Sequence, residues 1–243
     1  MKKKLVIILS FLIFSCKKDT EITHSKSNFQ EIEITHSKSN FQEIEALISD
    51  TIERFTDSIN FGIKTKNKID IFHIEESQNT FVKIYLYEKN NSKWKIKDSL
   101  KVEGDKVNIL NTEISDFNND KLNDIIFTSG TSARGGNNVQ TLILYKKDTK
   151  KLNWIKNSDY FPNLMYNEKL DCIDSFILTG GNTTCFLKIK NDSLFHFASV
   201  DQRDNKISVE ILDENGKWKK TQSVEDNSED FKRFIDFSPI EER

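Results

Sequence analysis

Val82-Lys83-Ile84-Tyr85-Leu86-Tyr87 alternates aliphatic and polar or aromatic side chains with a period of two. Successive side chains of a strand point to opposite faces, so this pattern reads as a half-buried antiparallel strand. The same period returns in Cys185-Phe186-Leu187-Lys188-Ile189-Lys190 and in Ile207-Ser208-Val209-Glu210-Ile211. Between such runs stand Asn90-Asn91, Asp148-Thr149, Gly180-Gly181, Asn191-Asp192 and Asn215-Gly216, all residues that tolerate the positive φ of tight hairpins. About ten strands joined by short links predict a mainly β fold, an antiparallel meander forming a sandwich or a rolled, propeller-like sheet. Helices do not alternate with the strands, which excludes a doubly wound α/β fold.

Upstream, the pattern changes. Ile44, Leu47, Ile48, Ile52, Phe55 and Ile59 fall at three- and four-residue spacing, predicting one N-terminal amphipathic helix, with Ser39 and Gln42 as a capping box and Gly62 as its stop. Residues 21–32 and 33–44 are the same string, EITHSKSNFQEI, twice over. Two copies are too few for a solenoid, so His24 and His36 belong to a solvated spacer rather than a metal pair.

The first 16 residues carry a targeting signal. Lys2, Lys3 and Lys4 precede an apolar run from Leu5 to Phe14, then Ser15 and Cys16. That run is too short for a span, which needs about 20 apolar residues. Ile13-Phe14-Ser15-Cys16 resembles the lipobox of bacterial lipoproteins, which implies acylation of Cys16 and anchoring in a membrane by several acyl chains. Lys17, rather than Asp, after the cysteine implies the outer membrane, with the domain facing either the periplasm or the cell surface. The expected organisation is a signal peptide over 1–15, an anchor and flexible spacer over 16–38, and one β-rich domain over 39–243. Loss of the leader's three lysines takes the formal net charge from -2 to -5, and an acidic chain of that kind disfavours nucleic acid as a partner.

Outside the anchor only Cys172 and Cys185 remain, and an oxidising compartment permits a bridge between them. A tight turn at Gly180-Gly181 places Cys172 nearer position 189, so a disulfide requires a wide or bulged loop; two buried free thiols are the alternative.

One motif is sharper than the rest. Asp116, Asn118, Asp120 and Asp124 stand at positions 1, 3, 5 and 9 of a loop, and the Leu122 carbonyl can serve at position 7. Calcium takes six to eight such hard oxygen donors, so the pattern predicts a structural Ca2+ site. Ile125-Ile126-Phe127 reads as strand, and Phe127 occupies the place of the closing Glu of a helix-flanked EF-hand. The loop resembles the FG-GAP or VCBS type, Asp-x-Asx-x-Asp-Gly-x-x-Asp, and departs from it where Lys121 replaces glycine. The loop, Gly135-Gly136-Asn137, the strand ending Leu144-Tyr145, Ser175 ahead of Gly180-Gly181 and the strand at Leu194 together resemble a family of small periplasmic β proteins. Some of these are lysozyme inhibitors or immunity proteins against peptidoglycan-cleaving enzymes. The similarity spans about residues 106–201, and no inhibitory residue is carried over.

Gly130-Thr-Ser-Ala-Arg134-Gly135-Gly136 lacks the Gly-Lys-Ser ending of a phosphate loop and reads as a hairpin loop, with Arg134 available to a partner beside the metal loop. Tyr160 and Phe161 lie in an aromatic connection that can serve recognition or tuck under the sheet. His196 shares a face with Leu194, Ala198 and Val200, as a core histidine would, and no nucleophile elbow accompanies the serines. The expectation is therefore a calcium-binding, lipid-anchored module that holds a protein or cell-wall partner and is not an enzyme. A polysaccharide-binding or polysaccharide-processing lipoprotein, or a structural envelope protein, is the alternative.

Overall fold

In the computed structural model, residues 51–76, 79–103 and 110–243 are described; the leader, Cys16, the duplicated strings and Ile44 to Ile48 lie outside them. Each half-polar strand pairs with the next in sequence, so the architecture follows from the alternating stripes. β1 (Thr51–Asp57), β2 (Asn67–Glu76), β3 (Asn79–Asn90) and β4 (Lys93–Glu103) form one antiparallel sheet in that order. β5 (Thr112–Ser115), β6 (Asp124–Ser132), β7 (Asn137–Lys146) and β8 (Lys151–Ile155) form a second. β9 (Leu164–Asn167), β10 (Cys172–Leu178), β11 (Asn182–Lys190), β12 (Ser193–Arg203), β13 (Lys206–Leu212) and β14 (Trp218–Glu225) make a third meander, and β15 (Phe234–Phe237) with β16 (Ile240–Glu242) closes the chain as a hairpin.

The sheets stack through three cores. Ile69, Ile71, Val82, Ile84 and Leu86 of the first sheet meet Ile125, Phe127, Ile143 and Tyr145 of the second. From the other face of that second sheet, Ile126, Leu142 and Leu144 meet Ile173, Cys185, Leu187 and Leu194 of the third. The third sheet's far face buries Phe186, Ala198, Val200 and Val209 against Phe234 of the hairpin. A strand covered on both faces has no polar stripe, which is why Leu142-Ile143-Leu144-Tyr145 is a continuous apolar run.

All five turn signals join consecutive strands. Asn91, Lys150, Gly180, Asn191 and Gly216 have φ of +46°, +54°, +72°, +58° and +73°. At Gly181 the requirement is space, because a Cβ there would lie 2.7 Å from the Gln202 carbonyl oxygen.

Two expectations are corrected. The predicted helix does not extend through Ile52 and Phe55: residues 51–57 are strand β1, with Phe55 opposite Ile71. Pairing to β2 lets Phe55 join the first core, while Arg54 and Thr56 on the alternate face stay exposed. Gly62 ends no helix; its amide donates to the Asn123 carbonyl at 2.8 Å. The disulfide is also excluded. β10 and β11 pair Ser175 with Cys185 and Ile173 with Leu187, so Cys172 belongs opposite residue 188, three positions from Cys185. An odd offset puts the two side chains on opposite faces, Cys172 in the third core and Cys185 in the second, and both are free thiols.

Candidate functional site

The acidic loop leaves β5 at Ser115 and enters β6 at Asp124. Its side chains organise its own backbone, as Asp and Asn do in turns. Asp116 Oδ1 accepts the amides of Asn118 and Asp120 at 3.3 and 3.2 Å, and its Oδ2 accepts the Lys121 amide at 2.9 Å. Asn118 Oδ1 accepts the Asp120 amide at 3.0 Å, Asp120 Oδ1 accepts the Leu122 amide at 2.9 Å, and Asn118 Nδ2 donates to Asp120 Oδ2 at 3.1 Å. Asn119 and Lys121 adopt φ of +58° and +70°. The position where the loop pattern has glycine thus keeps the glycine conformation with a lysine in it.

Asp124 sits apart from the others, wholly buried at the floor of the loop. Its Oδ2 accepts the Phe117 amide at 3.1 Å and its Oδ1 the Tyr145 amide at 2.9 Å, so one carboxylate ties the loop to both β6 and β7. Burial pushes its pKa up to about 7; the two amides oppose that rise, and the charges of Asp120 and Asp116 add to it. The side chain of Leu122 packs on the first core, leaving its backbone as the part able to face a cation. From outside, Asn123 Nδ2 donates to the Asn60 carbonyl at 3.0 Å, and Asn119 Nδ2 donates to Asp171 Oδ1 at 3.1 Å. Tyr166 also gives its hydroxyl to that Asp171 oxygen at 2.6 Å, which holds the Tyr166 pKa up at about 12. These residues border a cleft of about 300 Å3 lined by Phe117, Asn118, Tyr166, Asp171, Lys188 and Ile189.

As a donor set the loop suits a hard cation: carboxylates at Asp116, Asp120 and Asp124, an amide oxygen at Asn118 and a backbone carbonyl at Leu122. The loop's own cation, the Lys121 ammonium, is directed at Asn119 Oδ1 rather than at the carboxylates. Among the described residues no three His, Cys, Asp or Glu side chains are already gathered as a ligand cluster. The oxygens are engaged with loop amides: Asp116 Oδ1 already accepts two, while Asp116 Oδ2, Asn118 Oδ1, Asp120 Oδ1 and the two Asp124 oxygens accept one each and retain a second lone pair.

Arg134 is not beside this loop. Asp124 opens β6 and Ser132 closes it, so the loop and the Arg134 turn lie at opposite ends of a nine-residue strand, about 27 Å apart at the rise of an extended chain. At that far end, Ala133 and Arg134 are consecutive left-handed residues with φ of +49° and +57°, followed by Gly135 at +90°. All three are exposed. Asn163 stitches this turn to the aromatic connection. Its Oδ1 accepts the Asn138 amide at 3.1 Å, and its Nδ2 donates to the Gly136 carbonyl at 3.1 Å and the Phe176 carbonyl at 2.8 Å. Tyr160 projects into solvent with 76% of its surface exposed, while Phe161 turns inward, edge-on to the His196 ring at 6.1 Å. His196 is half-buried between Phe161 and Trp218, with Nε2 3.0 Å from the Ala198 carbonyl; contrary to the expectation, a bulge sets Phe186 opposite Ala198 but Leu187 opposite His196, so His196 lies on the Leu194 face and not with Ala198 and Val200. Nothing in the sequence singled out Asn163, Tyr166 or Asp171, because their roles depend on contacts between separate turns.

No family model matches the chain, and no curated protein matches it. Among solved structures it is similar to a Xanthomonas Type IV Secretion System related protein, with 14% identity and a TM-score of 0.44 over 70% of this chain and 93% of that one. A likeness that loose carries no argument.

Proposed function

We propose that this chain is a lipid-anchored, calcium-stabilised β module of the outer membrane that binds a protein partner, acting as an inhibitor or immunity protein against a peptidoglycan-cleaving enzyme. The observation that carries a binding role is the turn at Ala133 and Arg134. Two adjacent non-glycine residues in left-handed conformation cost about 1–2 kcal/mol each, and such strain persists where surrounding structure holds it for a purpose. Here Asn163 supplies the hold, bonding the turn that carries Arg134, at Gly136, to the connection that carries Tyr160. Tyr and Arg are the side chains that most often anchor interfaces. Ca2+ at the opposite end would brace the β5–β6 loop, with Asp116, Asn118, Asp120, the Leu122 carbonyl and Asp124 as its donors.

Purified, unlipidated chain carrying Cys16→Ser, assayed against a panel of peptidoglycan hydrolases, is expected to slow at least one of them. Arg134→Ala and Tyr160→Ala should each weaken that inhibition without lowering the melting temperature. If the chain slows none of the hydrolases and captures no secreted protein, the reading fails. For the metal, calcium at ten times its dissociation constant adds about 1.4 kcal/mol, a melting shift of roughly 3–6 °C for a domain of this size. Asp120→Ala should abolish the difference between calcium and chelator; identical melts of the parent chain in the two would refute the site.

A further inference from the structure

The six-stranded third sheet ends in an open edge that the proposed function does not use. β14 pairs with β13 on one side, and among the described residues no backbone bonds to its other side. All eight of its residues are exposed, and Trp218 and Val224 keep 43% and 38% of their surface in water. The other sheet edges are short or covered. β5 and β9 have four residues each, and the Leu164 amide of β9 is taken by Gln140 Oε1 at 2.6 Å. β4 lies against β8, whose Leu152 amide donates to Asp98 Oδ2 at 2.9 Å, and β1 is half-buried at five of its seven residues. After Asp226 the chain turns back over β12, where Gln202 Nε2 donates to Asp226 Oδ2 at 2.6 Å and Gln202 Oε1 accepts the Lys232 amide at 3.0 Å, so it leaves the β14 edge open.

Charge along this strand runs from basic to acidic. Lys217, Lys219 and Lys220 stand at its start, Glu225 and Asp226 at its end. Lys219 is paired with Asp213 at 2.9 Å and Asp226 with Lys232 at 3.4 Å, which leaves Lys217, Lys220 and Glu225 without an ion-pair partner among the described residues. A bulge sets the two faces: Glu210 lies opposite Lys220 and Val209 opposite Gln222, with Thr221 as the extra residue. Trp218, Lys220, Ser223 and Glu225 therefore share one face, and Lys219, Gln222 and Val224 the other.

We propose that β14 pairs antiparallel with β14 of a second copy of this chain, about a two-fold axis normal to the sheet between Thr221 and Gln222. An exposed edge is a template for another strand, and such an axis keeps each face on its own side, so only like faces meet. Trp218 then stands opposite the partner's Glu225, Lys219 opposite the partner's Val224 and Lys220 opposite the partner's Ser223, like face to like face each time. A slip of one residue sets unlike faces together. Lys220 lies diagonal to the partner's Glu225, within reach of its long side chain, and symmetry makes that pair twice. Lys217 comes opposite the partner's Asp226, and the stem of Lys219 covers the partner's Val224. Parallel pairing would set lysine against lysine and acid against acid, so the order of charges selects the antiparallel copy. A two-fold contact of this kind closes at two chains.

The test is sedimentation velocity of the unlipidated Cys16→Ser chain over a concentration series, with the melting temperature as the check on fold. The parent is expected to pass from monomer to dimer and no further. Lys220→Glu sets carboxylates against each other across the seam, and Glu225→Lys sets ammonium groups against each other, so each alone should weaken the dimer about tenfold. Mixed in equal amounts, the two variants regain both attractive pairs, and a heterodimer of parental strength should form. Damage to the strand by either substitution would give no such recovery. A parent chain that stays monomeric up to about 1 mM would overturn the proposal. So would a dimer indifferent to both substitutions, a mixture no more dimeric than its components, or growth beyond two copies.

Discussion

Replacing Asp124 with Asn tests how the acidic loop is attached to the sheets. Its two carboxylate oxygens each accept one buried amide, from Phe117 at 3.1 Å and Tyr145 at 2.9 Å. Asparagine has the same shape but a single acceptor, so one of those amides must face an NH2 group instead. A buried donor left without a partner costs about 1–3 kcal/mol. Removing a carboxylate that burial has already pushed up to about 7 offsets part of this, because near neutral pH the ionised form is itself disfavoured there. The net expectation for Asp124→Asn is a loss of about 1–2 kcal/mol. For Asp124→Ala, which orphans both amides and leaves a small void, it is about 3–5 kcal/mol. Urea unfolding followed by tryptophan fluorescence at pH 7.5 in chelator measures both, with Trp154 and Trp218 on the two sheets that flank the loop's anchor points. A midpoint for Asp124→Asn within error of the parent would refute the claim that this carboxylate is the mechanical link between β5–β6 and β7.

Other outcomes follow from single residues. Lys121→Gly relieves a left-handed lysine costing about 1–2 kcal/mol and restores about 0.5–1 kcal/mol of unfolded-chain entropy, so the melting temperature should rise slightly; a fall would mean that the Lys121 side chain contributes more than its backbone costs. Both cysteine thiols are raised to about 12 by burial, so in the Cys16→Ser chain neither should react with Ellman's reagent at pH 8 until denaturant is added, when both titrate. Burial lowers the His196 pKa below its ordinary 6.5. The unfolded chain therefore binds the extra proton first, and stability conferred by neutral His196 is present above pH 6.5 and declines as the pH falls below it. His196→Gln should flatten that part of the stability profile, and an unchanged slope would remove His196 as its source.

The mainly β character was legible from short-range pattern alone. Period-two stripes such as Val82-Ile84-Leu86 and turn pairs such as Asn215-Gly216 report local backbone preference and one-sided burial, which neighbouring residues encode. The oxygen-rich loop was legible for the same reason, since its donors lie within nine residues and fold onto their own amides. Residues 51–57 were misread because β1 is an edge strand in which Ile52, Phe55 and Ile59 keep a helical spacing; the strand departs from strict alternation through a bulge between Thr51 and Glu53. Only a partner strand more than ten residues away selects strand over helix.

What the amino-acid order determined by itself was which segments extend, where they turn, and which loop is rich in carboxylates. The tertiary structure alone decided which faces those segments share. It set Cys172 and Cys185 back to back through a one-residue parity of register, sent the acidic loop and Arg134 to opposite ends of β6, and buried Asp124 between two backbone amides. Local sequence specifies a strand's two faces, but what covers each face depends on sheets assembled from distant parts of the chain, and that assembly exists only in the folded molecule.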